Sequence, residues 1–134
     1  MEYLIGIGLA VAVCVFATLA GFDRDRVFYP TLVTVIATYY ILFGVIGSSM
    51  PALELESLVA GAFLALAVAG FKKNLWLIVA ALVGHGVFDF FHHFFIQNPG
   101  VPAWWPGFCL SFDVLAGGFL AVLLMRRSGF ASPI

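Results

Sequence analysis

The sequence predicts an all-α fold, a five-helix transmembrane bundle, and three observations predict it. Only 10% of the 134 residues are charged while 63% are hydrophobic, and the mean hydropathy is +1.12. A soluble domain is about a quarter charged, and so short a chain cannot hide such a surplus in a core. Five stretches are each near the roughly 20 apolar residues that a bilayer crossing needs. Finally, basic residues alternate among the connectors. Arg24 and Arg26 lie in the first, Lys72 and Lys73 in the third, Arg126 and Arg127 in the tail, and none in the second or fourth.

The helices are expected at about 3–21, 30–49, 51–71, 74–97 and 106–126, forming a single transmembrane domain over 1–134 without repeats. Met1-Glu2 gives the first stretch an acidic start where a secretory leader carries basic residues, and its apolar run is long, so a retained helix is expected. Pro30, Pro51 and Pro106 open the second, third and fifth, where a first-turn N–H has no intrahelical partner to lose. Asn98-Pro99-Gly100 stops the fourth. Basic residues of short loops remain cytoplasmic, which places the N-terminus outside and the C-terminus inside a multi-pass protein of the cell membrane. Trp104 and Trp105 then fall at the outer interface, and Phe28 and Tyr29 at the inner one. The tetrad Asp23-Arg24-Asp25-Arg26 reads as a solvated, self-paired turn. With a net charge of -1 the chain lacks the basic patch that nucleic acid demands. Cys14 and Cys109 differ by roughly 13 Å in expected depth, too far for a disulfide, and are expected as free thiols.

The chemistry concentrates in the fourth helix, in the run His85-Gly86-Val87-Phe88-Asp89-Phe90-Phe91-His92-His93, with Asp113 in the fifth. Ionisable groups within hydrocarbon are costly and normally mark a site. At about 1.5 Å per residue, Glu56, His92, Asp113 and Asp89 share one slab of the outer half, with His85 deeper. His85, Asp89 and His92 fall on one helical stripe, with His93 at its edge. The rows Asp113-Gly117-Ala121 and Gly61-Ala65-Ala69 read as close-packing faces.

Asp89 and Asp113 have no Lys or Arg placed beside them, so each needs a proton, a histidinium or a metal ion. Two imidazoles and two carboxylates match a divalent, Zn-like or Fe-like cation, and His and Asp four residues apart can both reach one ion. The expected ligands are His85, Asp89 and Asp113, with a set of Asp89, His93 and Asp113 close behind. His92, Glu56, Tyr39 and Tyr40 are expected around the site or at its entrance. The segment 97–106, with its three prolines, is either a rigid cap over the cluster or a plain connector. Such a site suits a metal-dependent enzyme acting on a lipid-like substrate. The same cluster also suits a cation or proton transporter or channel, or a hydrogen-bonded network in a structural subunit. The small-residue faces suit a homo-oligomer.

The run from His85 through Pro106 resembles that of small bacterial integral-membrane proteins grouped as a domain of unknown function, a resemblance that implies no activity. The general arrangement is also similar to the metal-dependent membrane hydrolases that include alkaline ceramidases and adiponectin-type receptors. Those have seven helices and a His-x-x-x-His signature that this chain lacks, so no residue roles carry over.

Overall fold

The computed structural model describes residues 1–130, and these are all-helical, without strands. The helices are α1 (Glu2–Ala20), α2 (Phe28–Ile46), α3 (Met50–Lys72), α4 (Trp76–Phe91) and α5 (Trp105–Phe130), with single 3₁₀ turns at Phe22–Arg24 and His92–Phe94. All five meet the length and hydropathy needed to cross a membrane, α4 together with the turn that follows it. Most of their apolar side chains point outward: Leu4, Leu19, Leu58 and Phe94 are each at least 70% exposed.

The chain doubles back between helices, and each reversal has a local cause. Gly21, at φ 81°, takes the left-handed conformation that ends α1, and its N–H bonds back to Ala17 and Thr18 carbonyls. Ser49 caps α3 by accepting from the Ala52 N–H, and Pro51 sits in the first turn. Ser48, between α2 and α3, carries φ 50°, a conformation that costs a residue with a Cβ about 1–2 kcal/mol.

α5 packs between α1 and α4, α4 also meets α3, and α3 packs along α2. The buried core is built from small and branched residues of all five helices, among them Ala10, Val33, Ala67, Ile78, Leu82 and Leu120. Small residues set the α4–α5 distance. A Cβ on Gly86 would lie 3.1 Å from the Asp113 Cβ, and one on Gly117 would lie 2.9 Å from the Val83 Cγ2. Backbones that close let short side chains reach across. The expected row on α3 is different: Gly61 and Ala65 face outward, while Ala52, Glu56, Ala60, Ala67 and Gly70 form the buried face. This rotation turns Glu56 toward His92 and sets Gly70 against Ile78.

Two expectations about connectors change. α4 ends at Phe91, six residues before Gln97, because the chain tightens into a 3₁₀ turn and folds back through Asn98. The charged tetrad is not self-paired. None of the salt bridges among the described residues joins its members. The Arg26 guanidinium instead donates to the Phe71 carbonyl at 2.9 and 3.0 Å, at the C-terminal end of α3. The last carbonyls of a helix lack intrahelical donors and present the negative end of its dipole, so they compete well for a cation. Asp23 is buried and accepts from the Thr18 hydroxyl at 2.6 Å, and Arg127 donates to its main-chain carbonyl. Cys14 and Cys109 are free and buried, as expected.

Replacing Ser48 with Gly is expected to raise stability by about 0.5–1 kcal/mol, since Gly adopts positive φ without strain. Thermal unfolding in detergent checks this; a Ser48→Ala variant equally stabilised would show that backbone strain is not the cause.

Candidate functional site

At the end of the bundle away from the basic residues, five ionisable side chains are withdrawn from the surface. Glu56 is 0% exposed, Asp113 1%, His85 and Asp89 3%, and His92 5%. They form two sets, joined by hydrogen bonds and, between His85 and Asp89, by a longer ion-pair contact. In the first, His85 on α4 stands between two carboxylates. Its Nδ1 lies 2.6 Å from Asp113 Oδ2 on α5, and its Nε2 lies 3.8 Å from Asp89 Oδ2 one turn along α4. The Tyr40 hydroxyl of α2 donates to Asp89 Oδ1 at 2.5 Å. Tyr40, Asp89, His85 and Asp113 thus make a file across three helices.

In the second set, His92 Nε2 lies 2.7 Å from Glu56 Oε1 on α3, and the Asn98 side-chain amide donates to the same oxygen at 2.9 Å. Asn98 is itself held by the Gly100 N–H, which donates to its Oδ1 at 2.9 Å. Glu56 Oε2 is buried without a hydrogen-bond partner.

Tyr40 joins the sets. Its ring stacks on His92 with centroids 6.1 Å apart and meets His85 edge-on at 5.2 Å. Between them lies a cavity of about 10 Å³, lined by Tyr40, His85, Asp89, His92, Trp105 and Pro106. That is room for about one water molecule. Outside it is a vestibule of about 750 Å³, bordered by Glu2, Tyr3, His93, Gln97 and Asn98. His92, Val101 and Pro106 line both spaces and stand between them. Val101, Trp105 and Pro106 of the proline-rich segment line the inner cavity.

Of the residues expected in the site, the structure brings His85, Asp89, Asp113, Tyr40, Glu56 and His92 together, and leaves His93 out. His93 is exposed and lies against the Phe94 ring, 4.0 Å between centroids. After Phe91 the 3₁₀ turn directs His92 inward and its neighbour outward, so the place of the second buried imidazole belongs to His92. Tyr39 packs edge-on against Trp105 at 5.4 Å and takes no hydrogen bond in the cluster. Thr34 and Thr38 bond their own helix, to Pro30 and Val35 carbonyls. Asn98 escaped the sequence reading, where an Asn before Pro signals only a helix stop.

The donors expected for a divalent metal pair with one another in this structure. No group of three or more His, Cys, Asp or Glu side chains among the described residues is arranged to hold an ion. The reason is visible in the first set, whose donor atoms face one another: His85 directs one ring nitrogen at each carboxylate instead of sharing a common centre with them.

The charge balance is nonetheless unfinished. Three carboxylates face two imidazoles, and Arg24, Arg26, Lys72, Lys73, Arg126 and Arg127 all lie in connectors or helix ends away from the cluster. Even with both imidazoles cationic, one negative charge is left over. An unpaired charge in such surroundings costs several kcal/mol, so the cluster holds at least one further proton or another cation.

Scans against family models, curated proteins and solved structures return no match to this chain.

Replacing Glu56 with Leu strands the donors of His92 and Asn98 and is expected to lower stability by about 3–5 kcal/mol, whereas Gln, which keeps an acceptor, costs less. Thermal unfolding of the two variants side by side is the check. Equal losses would mean that the cavity shape, not the pairing, is what matters.

Proposed function

We propose that this chain is a multi-pass protein of the cell membrane that binds and exchanges protons at the Tyr40–Asp89–His85–Asp113 relay, as the outward-facing state of a proton-coupled carrier. The observation that carries the reading is an imidazole flanked by two buried carboxylates, 2.6 Å from one and 3.8 Å from the other. An imidazole is the side chain whose charge changes most readily near neutral pH, and two carboxylates on either side give its proton two places to go.

The alternation of basic connectors supports an orientation with N-terminus outside and C-terminus inside, and the relay then lies in the outer half of the bilayer. Protons arriving from the vestibule meet His92 first, then the single-water cavity, then Asp89. Glu56 Oε2, buried without a hydrogen-bond partner, lies beside this route. Beyond Asp113, toward the basic end, Leu82, Ala116 and Leu120 close the bundle at no more than 2% exposure each. Passage to the other side therefore requires a second conformation, as a carrier has and a continuous channel has not.

The test is acid-driven uptake by protein reconstituted in liposomes loaded with a pH-sensitive dye. Wild type is expected to acidify the lumen faster than empty vesicles. His85→Gln and Asp89→Asn fall to the empty-vesicle rate, and Tyr40→Phe, which keeps the ring packing but loses the hydroxyl, falls between. A wild type no faster than empty vesicles overturns the proposal and leaves a structural hydrogen-bond network. Stoichiometric metal in the purified protein, lost from both Asp89→Asn and Asp113→Asn, would replace it with the metal-centre reading.

A further inference from the structure

α1 and α2 scarcely touch each other, since α1 packs on α5 and α2 on α3. The gap between them is a groove of about 220 Å³ floored by α5, and it opens sideways from the bundle. Leu9 and Val35 form its lips, each 45% exposed. Along its length run the rings of Tyr39, Trp105, Phe108 and Phe112, and Asp113 lies at its floor. The rings are in mutual contact: Tyr39 to Trp105 at 5.4 Å, Trp105 to Phe108 at 5.4 Å, and Phe108 to Phe112 at 6.0 Å. The groove thus has aromatic walls, and behind them lies Asp113, 1% exposed and held at 2.6 Å by His85 in a cluster whose carboxylates outnumber its imidazoles.

Aromatic faces attract cations, most strongly where water is excluded, and they attract organic ammonium groups that shed hydration easily. An anionic head would meet the uncompensated carboxylates, and a neutral one would leave the charge balance unchanged. The size is that of a small head group, with room for an attached apolar tail only beyond the lips.

We infer that this lateral groove binds a lipophilic organic cation, a quaternary or protonated amine, whose charge replaces the proton held by the Asp113–His85 pair. The inference names a substrate class for the proton-coupled carrier and rests on that reading in one respect, the exchange of cation for proton.

The probe is benzyltrimethylammonium, with neopentylbenzene as its uncharged isostere, titrated onto protein in nanodiscs. A variant with Trp76→Phe and Trp104→Phe keeps Trp105 as its only tryptophan, so its fluorescence reports on the groove. The cation is expected to give a saturable change, and the isostere to bind about tenfold more weakly or worse. Binding also releases about one proton per cation into weak buffer, as linkage between two ligands of one site requires. Leu9→Phe combined with Val35→Phe fills the groove without touching the His–Asp cluster; it abolishes the response and preserves acid-driven proton uptake.

Equal responses to both probes identify a groove for acyl chains and overturn the inference. No binding alongside intact proton uptake overturns it while sparing the carrier reading. Cation binding without proton release disproves the exchange. Binding by a protein that takes up no protons supports the cation site and removes the parent reading instead.

Discussion

Everything at the polar end of this bundle depends on how His85 is held. Its ring is shared by two carboxylates from different helices in surroundings with almost no water. Either carboxylate alone would be a costly charge, and the imidazole alone an unsatisfied donor and acceptor. Together they are tolerable, but only at close range: a hydrogen bond to Asp113 at 2.6 Å and an ion-pair contact to Asp89 at 3.8 Å. That demand propagates outward. α4 and α5 must run with backbones nearly touching, hence Gly86 and Gly117 at the crossing. α2 must present a hydroxyl opposite Asp89, and α3 must rotate its one deep carboxylate toward His92.

Much of this was legible in the sequence, for identifiable reasons. Five apolar stretches announce helices because no other structure hides so much surface, and His85 and Asp89 share a face because four residues make about one turn. Asp113 belonged with them because a carboxylate inside a helix of apolar residues has nowhere else to go. What the sequence did not disclose depends on departures from helical regularity or on partners far along the chain. His92 and His93 are adjacent, and only the 3₁₀ turn after Phe91 decides which one enters. Residue types and spacing, on which the divalent metal was inferred, say which atoms are near one another but not that His85 and Asp113 pair directly. Asn98 reaches Glu56 across 42 residues, and Arg26 reaches Phe71 across 45. No local pattern encodes either contact.

The two ends of the bundle use opposite electrostatics. At the basic end, guanidinium groups satisfy carbonyls that helix geometry leaves open, and the cationic side chains themselves stay mostly exposed. At the other end, acids and imidazoles satisfy one another in the interior. Such interior pairs change with the proton count, whereas capped carbonyls do not titrate. The His–carboxylate pairs are thus gathered at one end, while the other holds guanidinium tethers and a single buried carboxylate, Asp23.

The Arg26 clasp has a mechanical consequence. It ties the connector entering α2 to the far terminus of α3, while Ser48 and Ser49 close the same pair at the opposite extremity. α2 and α3 are thereby tied together at both tips, and α1, α5 and α4 pack as the other group. The His85–Asp113 link lies wholly inside that second group, but Tyr40–Asp89 and Glu56–His92 join one group to the other. Any separation of the two groups would have to break both of those bonds, each of which is held by a shared proton.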